Sequence, residues 1–185
     1  MNLSRLCAAA VISGAFLLGG CSLPVPPEHY AQETPKLDIQ RYFNGTLDVH
    51  GMFQNRAGTV EKRFTVLMRC SWSGDVGTLD EEFVYSDGTR QRRVWTLRKT
   101  SEGHYIGTAP DVVGEAQVDV SGNAMRLRYV LALPVGDKVY NIDFDDWMYL
   151  IDDRVMLNRA QMSKFNFGLG SLTVVFNRRA DQVAR

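Results

Sequence analysis

Histidine and cysteine are scarce in this chain, with three of each among 185 residues, and the scarcity removes whole classes of function. His29, His50 and His104 show no H-x-H or H-E-x-x-H spacing, so no zinc site or metalloprotease pattern is written here. No C-x-x-C pair, G-x-S-x-G elbow or P-loop occurs, and Gly168-Leu169-Gly170 lacks the rest of a dinucleotide fingerprint and reads as a turn. Asp143, Asp145, Asp146, Asp152 and Asp153 cluster in sequence without the D-x-D-x-D-G spacing of a calcium loop. No catalytic residue, metal or cofactor is therefore assigned. Charge of one sign is missing too: 21 basic and 21 acidic side chains are interspersed, which leaves no electrostatic footprint for nucleic acid. Sustained helical periodicity is absent, and the longest apolar run falls short of the ~20 residues a spanning helix needs.

What is present begins at the N-terminus. Arg5 precedes an apolar run from Cys7 to Leu18, the layout of a secretory signal. The run closes on Leu18-Gly19-Gly20-Cys21, which reads as a lipobox. This predicts removal of residues 1–20 and acylation of Cys21, with the membrane as partner through those acyl chains. Ser22 stands where Asp would signal inner-membrane retention, so the expected location is the outer membrane, facing the periplasm. Stable anchoring takes more than one chain. With Cys21 acylated, Cys70 is left as a lone thiol in an oxidising compartment, and burial is expected to protect it. Pro24, Pro26, Pro27 and Pro35 crowd the stretch that follows. Residues 21–40 therefore read as an extended tether, with His29 solvated in it.

From Tyr42 onward, turn residues recur about 14 to 19 residues apart, at Gly58, Gly74, Gly88, Gly103, Gly122, Gly136, Asp152-Asp153 and Gly168. Hydrophobic alternation fills the intervals. Phe64, Val66, Met68, Cys70 and Trp72 share one strand face; Met125, Leu127, Tyr129, Leu131 and Leu133 share another; Leu172, Val174 and Phe176 repeat the pattern. The expected fold is all-β. Roughly eight to ten long antiparallel strands must curl into a closed meander barrel or a two-sheet clam, because twist and open edges disfavour one flat sheet. The barrel, lipocalin-like, is placed at residues 41–179, with a polar tail at 180–185 and an irregular corner at Pro110–Gly114. A transmembrane barrel, with the apolar face turned to lipid, fits poorly with a chain that carries its own lipid anchor.

Two stretches stand out. In Phe144-Asp145-Asp146-Trp147-Met148-Tyr149, strict alternation turns Asp146 inward, where Arg93 or Arg159 would have to balance it. The competing reading is a β-bulge at Asp145-Asp146 that turns both carboxylates to solvent and Trp147 into the core. The cost of a buried carboxylate favours that bulge, or a structural ion pair. In Thr78–Trp95, Leu79, Glu81, Phe83 and Tyr85 alternate before a hairpin turn and an arginine-rich strand, so Glu81 is the carboxylate to watch. Glu81, Arg93, Trp95, Asp146, Trp147 and Arg159 form the candidate ligand-binding set. His50 and His104 are expected to be exposed or structurally hydrogen-bonded.

Several motifs resemble the domain of unknown function 3833 family of Gram-negative lipoproteins. They are Leu79-Asp80-Glu81, Tyr85-Ser86-Asp87-Gly88, Arg93-Val94-Trp95, Asp111-Val112-Val113-Gly114, Gly122-Asn123-Ala124, the Phe144–Tyr149 stretch, Asn158-Arg159 and Ser163-Lys164-Phe165. The resemblance spans Phe43 to Phe176. It departs where Val118 and Asn166 replace expected glycines and His50 an expected aromatic. It implies a lipoprotein without assigned activity, transfers no catalytic residues, and hints at a fatty-acyl ligand. The leading expectation is a barrel that holds a hydrophobic or acyl molecule. A solid-cored scaffold with a protein partner of unknown identity, and an envelope-lipid enzyme using Asp146 or Glu81, are the alternatives.

Overall fold

A computed structural model describes residues 25–179, so the export signal, Cys21 and the polar tail lie outside the described residues. Ten antiparallel strands follow one another around a closed barrel. They are β1 (Gly45–Asn55), β2 (Val60–Ser73), β3 (Val76–Tyr85), β4 (Arg90–Ser101), β5 (His104–Thr108), β6 (Ala116–Ser121), β7 (Ala124–Val135), β8 (Lys138–Leu150), β9 (Val155–Lys164) and β10 (Phe167–Arg178). The meander closes where β1 pairs with β10 as well as β2, Val49 facing Phe176 on one side and Val66 on the other. Several strands reach 12 to 14 residues, well above the common length of about five or six. Strands this long accumulate enough twist to close the sheet and leave no free edge.

The side-chain period of two decides what is inside. Val66, Met68 and Cys70 on β2, Met125, Leu127 and Leu131 on β7, and Val174 and Phe176 on β10 are all buried. The alternate positions carry ion pairs across neighbouring strands: Arg69–Glu82 at 2.6 Å, Arg92–Asp80 at 2.8 Å and Arg126–Asp145 at 2.7 Å. An apolar lumen inside a charged wall is the reverse of a lipid-facing barrel. Among the described residues, no helix is long and apolar enough to cross a membrane. Cys70 points inward and is buried, and burial pushes its thiol well above the ordinary range.

The stretch before β1 differs from the expected tether. Pro27–Tyr30 forms a 3₁₀ turn, and a one-turn helix, α1 (Ile39–Tyr42), is capped by the Asp38 carboxylate accepting from the Arg41 N–H at 3.1 Å. The Tyr30 ring packs edge-on against Trp147 and Tyr149 on the outer wall. Leu37 N–H then donates to the Gly122 carbonyl at 2.8 Å, which crosses the chain over the β6–β7 turn. Leu37, Ile39, Tyr42 and Phe43 are buried in the barrel core. Trp72 Nε1 donates to the Phe43 carbonyl at 2.7 Å, and the Tyr42 hydroxyl donates to the carbonyls of Arg154 and Phe176 at 3.1 and 3.2 Å. The folded unit thus begins within the stretch assigned to the tether, because Leu37, Ile39 and Phe43 supply the apolar surface that stoppers one end. His29 is exposed, as expected.

Residues 109–115 form the irregular corner. They follow β7 rather than leaving the barrel: Val112 bridges Leu131, and Ala132 N–H donates to the Asp111 carbonyl at 2.8 Å.

Candidate functional site

The interior is not filled. A cavity of about 130 Å³ lies at mid-barrel between Val66, Met68, Leu79, Leu97, Leu127, Val174 and Phe176. Phe43, from the stopper, closes its floor. The polar groups on this apolar lining are Glu81, Arg93, Trp95, Tyr129, Asp146 and Asn158. Among the described residues no serine, threonine, cysteine, histidine or lysine lines it, and its titratable oxygens are the Glu81 and Asp146 carboxyls and the Tyr129 hydroxyl.

Register places these groups. Glu81 on β3 is opposite Met68 and Arg93, and Asp146 on β8 is opposite Leu127 and Ala160. Pairing is continuous from Ala124↔Tyr149 to Val135↔Lys138 and from Asp143↔Ser163 to Leu150↔Met156. The bulge expected at Asp145-Asp146 is therefore absent. Unbroken alternation sends Asp146 into the lumen at 6% exposure. Asp145 goes outward, held by two hydrogen bonds from Arg126 at 2.7 and 2.8 Å.

The expected inward ion pair is absent as well. Arg93 grips Asp111 instead, with Nε to Oδ1 at 3.0 Å and Nη2 to Oδ2 at 2.6 Å. Its guanidinium also lies 5.6 Å from the centre of the Phe83 ring. Arg159 faces solvent from β9. Trp147 faces outward, stacked on Tyr149 with ring centres 6.0 Å apart and carrying Arg126 5.1 Å from its own ring centre. Trp147 and Arg159 share a register pair on the outer wall and leave the candidate set. Glu81, Arg93, Trp95 and Asp146 converge on the cavity. Tyr129, Asn158 and Asp111 join the site without having been singled out.

Both carboxylates are costly. Asp146 Oδ1 and Glu81 Oε2 are shielded from solvent and have no hydrogen-bond partner. Glu81 as a whole is only half-buried and lines the cavity. Burial pushes the Asp146 carboxyl up to about 7, against the opposing pull of Tyr129 and Asn158. Burial likewise raises Glu81 to about 7; Arg93 works against this, while the charges of Asp111 and Asp146 add to it. The Tyr129 hydroxyl is pushed well above its ordinary range, first by burial and then by Asp146. Asn158 Nδ2 donates to the Trp147 carbonyl at 3.2 Å.

Among the described residues, no three histidine, cysteine or acidic side chains gather as a metal site. His104 faces outward and meets Asp119 at 2.9 Å, and His50 is exposed on β1. Asn166 sits at the β9–β10 turn with φ of 63°, in the left-handed region where glycine is favoured and asparagine tolerated.

Comparison with known proteins places the fold. The S-type phycobiliprotein lyase CPES of Guillardia theta superposes with a TM-score of 0.57 at 8% identity, over 84% of this chain and 98% of its own. Rv2717c of M. tuberculosis superposes with a TM-score of 0.53 at 16% identity, over 80% of this chain and 99% of its own. At these identities the likeness is one of fold. No curated protein matches the chain in sequence. The sequence profile of the family described as "Protein of unknown function (DUF3833)" matches residues 15–178, and the chain belongs to that family.

Proposed function

We propose that this protein is a binding module whose barrel interior holds a hydrophobic ligand, carried by acyl chains on Cys21 at the periplasmic face of the outer membrane. The observation that carries the reading is the mid-barrel cavity, apolar on most of its wall and furnished with a few convergent polar groups. Binding sites have that composition. Its volume of about 130 Å³ is close to the ~150 Å³ of apolar cavities that take up benzene-sized molecules. A solid-cored scaffold would have no use for two buried carboxyls, since apolar residues of similar size would pack there at lower cost.

The lipobox supports the anchoring, and the start of the folded unit bounds how far an anchored barrel could stand from the membrane. Three residues separate Cys21 from Val25, and the four residue steps between them reach at most about 14 Å. An acylated Cys21 would therefore hold the barrel against the membrane rather than on a long tether. Two experiments test the reading. Cys21→Ser should release the protein from the membrane fraction. Protein purified from membranes should yield a stoichiometric small molecule on organic extraction, and Leu127→Trp, which fills the cavity, should remove it. A barrel that yields no ligand and takes up no apolar molecule would overturn the binding role.

A further inference from the structure

We infer that the interior site selects an amphiphile whose head group donates hydrogen bonds, above all a primary ammonium, and disfavours a fatty-acid carboxylate, with Glu81 and Asp146 as the acceptors. The inference rests on the binding role proposed above and names the chemistry of its ligand.

Among the described residues Arg93 is the cation on the cavity wall, and the Nε–Nη2 edge of its fork clamps Asp111, which compensates its charge. An incoming fatty-acid head group would find that charge already compensated. It would also meet two acids, Glu81 and Asp146, each presenting a shielded oxygen without a partner. A buried acceptor left unpaired is costly, and more so when it is ionised. A carboxylate ligand would add a third acceptor and a like charge. An ammonium carries three donors and no acceptor, so it can donate to these orphaned oxygens without adding an acceptor of its own. A hydroxyl donates once and can satisfy one of them.

The groups facing the acids support this. Trp95 from β4 faces Glu81, Tyr129 from β7 and Asn158 from β9 face Asp146, and the Asn158 amide also donates to the Trp147 carbonyl. These donors already oppose the upward shifts of the two carboxyls. A second anion would have to draw them away. The apolar remainder of the wall then takes the alkyl chain.

The test uses the chain from residue 21 onward with Cys21→Ser, which keeps every element described above. Butylamine, 1-butanol and butanoate share one chain short enough for the cavity and differ in head group, and each is titrated calorimetrically at pH 8. Butylamine is expected to bind at least about tenfold more tightly than butanoate, the worth of one charge-assisted hydrogen bond, with butanol between them. In Glu81→Gln and Asp146→Asn, where a neutral isostere removes charge without removing volume, that preference should fall towards the butanol level. Butanoate binding as well as butylamine, or better, would overturn the head-group inference and leave the binding role standing. A preference unmoved by both substitutions would overturn the assignment to these two acids. Failure of all three compounds to bind would overturn the binding role, and the inference with it.

Discussion

Asp146→Asn should make the folded protein more stable, and increasingly so as the pH rises from about 4 to about 7. The ordinary aspartate value of 3.8 applies to the unfolded chain, whereas burial holds the folded carboxyl at about 7. Between those values the native state keeps a proton that the unfolded state has released. Wild-type stability therefore falls with rising pH, by about 1.4 kcal/mol per pH unit from this group alone. The full interval corresponds to a ceiling of about 4 kcal/mol, and water entering the cavity should reduce it to about 2 kcal/mol. Asparagine has no charge to bury and nearly the same shape. The variant should match the wild type near pH 3.5, pull ahead through pH 5 and 6, and hold a constant advantage above pH 7.

Exposed carboxylates with lowered values, such as Asp48 beside Arg179 and Asp80 beside Arg92, titrate identically in both proteins and cancel. Glu81 does not cancel, because Asp146 raises it, but relieving it moves the difference in the same direction. Urea denaturation followed by tryptophan fluorescence at unit steps from pH 4 to 8 measures the effect. A variant less stable than wild type at pH 8, or an offset independent of pH, would refute a buried and orphaned carboxyl at this position.

Three further outcomes follow from the same structure. Arg93→Ala should cost about 3 kcal/mol in the urea assay, because it strands the half-buried Asp111 carboxylate, and the Arg93→Ala, Asp111→Ala pair should cost less than the sum of the singles. Gly122→Ala should destabilise by about 2 kcal/mol and expose the N-terminal segment to limited proteolysis, since an added Cβ would lie 1.7 Å from the Tyr30 carbonyl oxygen. Cys70 should react with a thiol reagent at native pH only after denaturation, because its sulfur is buried and burial disfavours the thiolate; rapid reaction in the folded state would show that the lumen opens at that end.

The architecture was largely legible in the chain because strands reveal their inner face by alternation. Turn glycines marked most hairpins, and Gly58, Gly74, Gly88, Gly103, Gly122 and Gly136 all take positive φ at those tips. The tether reading fails for a local reason: proline density describes residues 24–27 and 35, but Leu37, Ile39 and Phe43 gain their stability from the barrel end they fill, which no window around them contains. Trp147 is a large aromatic beside Asp146, but alternation that turns Asp146 inward must turn its neighbour outward. Arg159 failed for the same reason, and its neighbour Asn158 is the inward residue. Asp111 lay in a corner without periodicity, so its partnership with Arg93 had no signal in either segment.

By itself, the sequence determined the class of fold, the extent of the strands, the inward apolar faces and the lipobox that predicts an anchor at Cys21. These depend on neighbours along the chain, where a period of two and a turn residue are local properties. Only the tertiary structure decided that the barrel closes through β1 and β10, that the stretch before β1 stoppers it, and that Arg93 is spent on Asp111. It also decided that Glu81 and Asp146 are left with unpartnered oxygens on one cavity. Whether a buried charge is paired depends on side chains brought together from distant strands, and that is a property of the closed sheet rather than of any segment within it.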